Sequence, residues 1–112
     1  REAELVHSII PECCTIEGHV ENSVLSNSVT VGAGARVLYS ILHPGVVVEP
    51  GAVVEYAILG EGTVVGAGAH VGAQPDGTDA WCVATVGPDV AVPAGATVPA
   101  GAMIYDGAEV HA

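Results

Sequence analysis

The sequence predicts an all-β protein, a triangular parallel β-helix wound from hexapeptide repeats in about five to six coils with one external loop. Three observations carry that prediction. Aliphatic residues return every six or five positions, a small residue or valine stands two positions before nearly every one, and glycine recurs one or three positions after many of them. Residues two apart on a strand face the same side, so each unit is a very short strand pointing one large and one small side chain inward. The glycines then mark tight corners between strands.

The opening coil is marked by Ile10, Ile16 and Val20. Three full rows follow: Leu25, Val31, Val37, then Leu42, Val48, Val54, then Leu59, Val65, Val71. Their steps are six, six and five, which sets Leu25, Leu42 and Leu59 17 residues apart. After an interruption, Val86, Val92, Val98, Ile104 and Val110 continue in sixes. The small inward partners are Ser23, Val29, Ala35, Ser40, Val46, Ala52, Ala57, Thr63 and Ala69, then Ala84, Val90, Ala96, Ala102 and Ala108. Gly32, Gly34, Gly51, Gly66, Gly68, Gly95 and Gly101 are expected at corners that require positive φ. The first row is two residues short between Ile16 and Val20, so its corner is expected to be tightened. The break "GAQPDGTDAWCV", Gly72 to Val83, is rich in Pro, Gly and Asp and lacks the inward pair, so it should leave the third corner as a loop. Trp81 within it is expected to cover an exposed edge, with docking on a partner as the alternative. Coils 8–71 and 84–110 with loop 72–83 make one domain, residues 1–112.

Composition agrees with thin, repetitive packing layers. Half the residues are hydrophobic, yet Phe is absent and there is one Trp, so the apolar content comes as small and β-branched units. The net charge is -11 and the only basic residues are Arg1 and Arg36, which excludes a nucleic-acid partner, since phosphate neutralisation needs clustered Lys and Arg. No GxxxxGK[ST] loop is present to cradle a polyphosphate. No apolar run reaches the roughly 18 residues of a membrane span, and "REAELVHSII" is not ordered as a signal peptide, so a soluble, cytoplasmic chain without membrane contact is expected. Cys13, Cys14 and Cys82 are odd in number, two of them adjacent; reduced thiols are expected rather than a disulfide framework or a zinc site.

The residue before each marked aliphatic must point outward, which turns the sequence into three surface columns. The first is Ile9, Val24, Ile41, Ile58 and Thr85; the second Thr15, Thr30, Val47, Val64 and Ala91; the third His19, Arg36, Val53, His70 and Thr97. Stacked apolar residues outside a coil mark an interface more often than scattered ones do, so Ile9, Val24, Ile41 and Ile58 are expected to pack on another domain or subunit. The third column alone has positive potential, and His19, Arg36 and His70 are the candidate face for a small anion or effector. Glu17, Glu49 and Glu55 fall at corners, where solvation is the ordinary role. The five histidines, His7, His19, His43, His70 and His111, show no metal-ligand spacing, and no catalytic nucleophile and base pair can be picked out.

The repeat resembles the hexapeptide-repeat superfamily over roughly residues 8 to 110, a resemblance that implies a single-stranded left-handed coil against the usual crossover hand. More closely, "CTIEGHVENSVL", Cys14 to Leu25, with "VTVGAGARVLYSIL", "GAVVEYAILGEGTVVGAGAHVG" and "ATVGPDVAVPAGATVPAGAMI" in that order, resembles the C-terminal β-helix of the ADP-glucose pyrophosphorylase (glucose-1-phosphate adenylyltransferase) family of bacterial glycogen synthesis. The resemblance implies that catalysis, with Mg2+, ATP and glucose 1-phosphate, belongs to an N-terminal nucleotidyltransferase domain absent from this chain. No cofactor is then expected here. It further implies docking of that catalytic domain, homo- or hetero-tetramer assembly, and regulation by sugar-phosphate effectors. A stand-alone hexapeptide acyltransferase, or the β-helix of a related sugar-nucleotide pyrophosphorylase, is the alternative.

Overall fold

The computed structural model describes residues 4–6, 14–73 and 83–105. Every strand in them is short, and all pairing is parallel between successive coils. The first face stacks Val24–Leu25, Ile41–Leu42, Ala57–Leu59, Ala84–Val86 and Met103–Ile104; the second stacks Thr15–Ile16, Thr30–Val31, Val47–Val48, Val64–Val65 and Ala91–Val92. The third stacks Glu4–Val6, His19–Glu21, Arg36–Leu38, Val53–Glu55, His70–Val71 and Thr97–Val98. Three sheets of five, five and six strands make a β-solenoid of about five turns, as the repeat predicts, and the form is consistent with a left-handed β-helix.

Every marked aliphatic among the described residues lies inside. Ile16, Val20, Leu25, Val31, Val37, Leu42, Val48, Val54, Leu59, Val65, Val71, Val86, Val92, Val98 and Ile104 are all buried, and so is each small partner from Ser23 to Ala96. Ala102 is partly buried against the same core. Ile10, Ala108 and Val110 lie outside the described residues. Three inward positions are polar, and each serves the backbone. The Ser40 hydroxyl donates to the Leu38 carbonyl at 2.8 Å and accepts from the Ala57 N–H at 3.2 Å, while the Ser40 N–H donates to Ser23 Oγ at 3.0 Å. The Thr63 hydroxyl donates to the Gly87 carbonyl at 2.7 Å and accepts from the Val90 N–H at 3.3 Å. Buried hydroxyls are thereby satisfied, as an apolar interior requires.

The corners divide into two kinds of glycine. Gly34, Gly51, Gly68, Gly95 and Gly101 have positive φ as expected. Gly32 and Gly66 do not. Their constraint is the coil that follows, since a Cβ on Gly32 would stand 2.7 Å from Pro50 N and one on Gly66 2.5 Å from Ala94 N. The third corner uses no glycine in its five-residue steps. Asn22, Tyr39 and Tyr56 occupy the left-handed region there, at φ 48°, 50° and 50°. For a bulky L-residue that costs on the order of 1–2 kcal/mol.

The short first row is absorbed at one residue. Gly18 replaces a longer corner, and its backbone lies so close to the next coil that a Cβ would stand 2.4 Å from the Ala35 carbonyl oxygen. Register survives, with His19 opposite Arg36 and Val20 opposite Val37. The later interruption also preserves register. Ala84 pairs with Ala57, 27 residues earlier rather than 17, so about ten residues are added between two otherwise ordinary coils. Trp81 and most of the 72–83 segment lie outside the described residues.

Candidate functional site

The outward columns are continuous ladders, because the same register that stacks the core also stacks the residue beside each core position. On the first face Val24 pairs with Ile41, Ile41 with Ile58, Ile58 with Thr85 and Thr85 with Met103. Val24 and Ile41 are each 42% exposed and Met103 60%. Ile58 and Thr85 are intermediate. Met103 extends the column one coil beyond the sequence reading, which stopped at Thr85; its signal was the unbroken step of six from Val98 to Ile104. Ile9 lies outside the described residues.

The remaining exposed large hydrophobics among the described residues are Tyr39 and Tyr105, and both flank this face. Tyr39 stands two residues before Ile41 with inward Ser40 between them, and Tyr105 stands two residues after Met103. Exposed apolar bulk is therefore concentrated on one side of the triangle. The second face, Thr15, Thr30, Val47, Val64 and Ala91, runs in register as expected, with smaller side chains.

The third face brings His19, Arg36, Val53, His70 and Thr97 into one ladder. It also carries carboxylates. His19 Nε2 and Glu21 Oε1 are 3.0 Å apart, and His70 Nε2 meets Glu55 Oε2. These acids offset the positive potential expected from sequence, and they place the histidines in pairs rather than around a common point. Arg36 is exposed between them. Glu55 departs from the solvated-corner expectation: its side chain is only 12% exposed, and its partner is His70. Glu49 likewise has a specific role, with Oε1 accepting the Ala67 N–H at 3.1 Å.

Sequence reasoning missed the arrangement at the third corner. Tyr39 and Tyr56, one coil apart, stack with centroids 4.9 Å apart and planes 7° apart, close to the coil rise of roughly 4.8 Å. Burial, followed by Tyr39, Glu55 and Glu21, pushes the Tyr56 phenol above its ordinary range. The 17-residue recurrence of these tyrosines was the available signal.

His43 is exposed at the first corner, away from the third-face pairs; His7 and His111 lie outside the described residues. Among the described residues no three His, Cys, Asp or Glu side chains gather where they could hold a metal. Cys14, partly buried, donates its thiol to the Ser26 carbonyl at 3.2 Å. No helix among the described residues is long and apolar enough to cross a membrane.

Residues 1–92 match the family described as "GlmU-like, C-terminal hexapeptide". The chain is also similar to proteins named glucose-1-phosphate adenylyltransferase from Clostridioides difficile, at 45% identity over 47 residues, and from Bacillus cytotoxicus, at 46% over 43 residues. These matches cover 42% and 38% of this chain but only 12% and 11% of those relatives.

Proposed function

The chain belongs to the GlmU-like C-terminal hexapeptide family, and from that premise we propose that it is the C-terminal assembly and regulatory domain of a glucose-1-phosphate adenylyltransferase. Such an enzyme converts ATP and glucose 1-phosphate to ADP-glucose and diphosphate. The chemistry, and the Mg2+ that assists it, then reside in a nucleotidyltransferase domain outside these residues. This chain's part is to dock that domain and to join subunits.

The observation that carries the proposal is the first-face column. A β-helix buries its aliphatic residues inside, so Val24, Ile41 and Ile58 stacked outside, with Met103 beyond Thr85 on the same ladder, suit a contact rather than the coil. The partial similarity to proteins named glucose-1-phosphate adenylyltransferase supports the choice of enzyme.

Expressed from its native reading frame, the protein should release pyrophosphate from ATP when glucose 1-phosphate is supplied, and the 112-residue chain alone should give no turnover. No release by the native product would remove the adenylyltransferase assignment. Turnover by the chain alone, in that assay or in an acetyl-transfer assay, would make it an enzyme in its own right.

A further inference from the structure

The tyrosines of the third corner are more than the fold requires. Asn22 takes the same left-handed conformation at the equivalent position, and asparagine tolerates it where tyrosine is strained. Stacking offsets part of that strain. It leaves unexplained why two aromatic rings are displayed at all, with Tyr39 41% exposed.

Their surroundings are specific. Tyr56 covers one face of the Tyr39 ring, and the coil before Tyr39, which carries Glu21 and Asn22, lies on the opposite side from Tyr56. Glu21 stands opposite Leu38, the residue before Tyr39, and Leu38 stands opposite Glu55, the residue before Tyr56. Glu21 and Glu55 both act on the Tyr56 phenol, after burial and Tyr39. An electron-rich ring face beside a carboxylate holds a planar cation, by attraction to the ring and by a charge-assisted hydrogen bond. Charge points the same way. At -11 with two arginines and no lysine, the chain attracts a basic partner surface.

We infer that the third corner seats an arginine side chain of a partner protein, its guanidinium against the exposed part of the Tyr39 ring and hydrogen-bonded to Oε2 of Glu21, whose Oε1 is held by His19, continuing around the edge the contact made by the first face. The identity of that partner as the catalytic domain rests on the function proposed above; the cation site does not.

Titrating the 112-residue chain with N-acetyl-arginine amide should shift the Tyr39 and Tyr56 ring resonances saturably in NMR spectra. The uncharged N-acetyl-citrulline amide should leave them in place. Glu21→Gln and Tyr39→Asn should each weaken binding by about tenfold. Tyr39→Asn should also keep or raise the melting temperature, because asparagine suits the backbone better than tyrosine. Equal shifts with the citrulline compound, or shifts spread evenly over all surface carboxylates, would overturn the inference. Should Tyr39→Asn unfold, Glu21→Gln decides the matter: arginine binding undiminished in that variant would overturn the inference. Arginine binding intact in an Ile41→Asp, Ile58→Asp chain whose assembly is unchanged would reject the first-face docking and leave the cation site standing.

Discussion

Thr63 fills the inward position that valine occupies in the coils on either side, Val46 and Val90, and its hydroxyl joins two coils whose connection carries the 72–83 insertion. Thr63→Val keeps the shape but leaves the Gly87 carbonyl and the Val90 N–H without that partner. A loss of about 1–3 kcal/mol in chemical denaturation is expected, and an unchanged midpoint would contradict this role. Tyr56 makes a second prediction at this scale. Its phenol is pushed up in the folded chain, so its neutral form stabilises the fold fully below the unfolded value of about 10, and this share is lost as pH rises through the folded value. The melting temperature of Tyr56→Phe should therefore fall less steeply than that of the parent above about pH 10; parallel alkaline slopes would contradict it. The inward place of Thr63 was legible because a strand alternates with period two. Its bonds were not, because Gly87 lies 24 residues away and becomes a neighbour only after the coil closes around an insertion.

Each coil element keeps its register by adjusting a corner and leaving the strands alone. Gly18 does so by shortening: a side chain there would press on the Ala35 and Gly32 carbonyl oxygens, at 2.4 and 2.7 Å from its Cβ. Gly18→Ala should destabilise the chain by about 1–3 kcal/mol, measurable by thermal unfolding followed by circular dichroism. A neutral result would mean that the first coil can move away from the second. The step counts revealed where corners shorten or lengthen, since each loss or gain of residues shifts the aliphatic period. They did not reveal how. Nothing in the local pattern separates Gly32, kept small by Pro50 of the next coil, from Gly34, kept for its positive φ. Nor does a five-residue step announce that Tyr39 and Tyr56 will supply the left-handed residue; that follows from the backbone path, which overrides the side chain's preference.

Across the whole molecule, the pairing of inside and outside residues determines what the β-helix can offer a partner. Leu25 and Val24, adjacent in sequence, belong to the core and to an exposed ladder, and the same holds for Leu42 with Ile41 and Leu59 with Ile58. The ladder was legible because register follows from the period. The electrostatic character of the third face was not, because the meeting of His70 with Glu55, 15 residues apart in sequence, depends on stacking between coils. The proposed docking and assembly depend on the first face being a contact surface. The measurement that tests it most directly is the mass in solution, by light scattering, of the native protein carrying Ile41→Asp and Ile58→Asp, with circular dichroism confirming that the β-helix persists. A folded protein of reduced assembly mass is the predicted result; a folded protein of unchanged mass would contradict it.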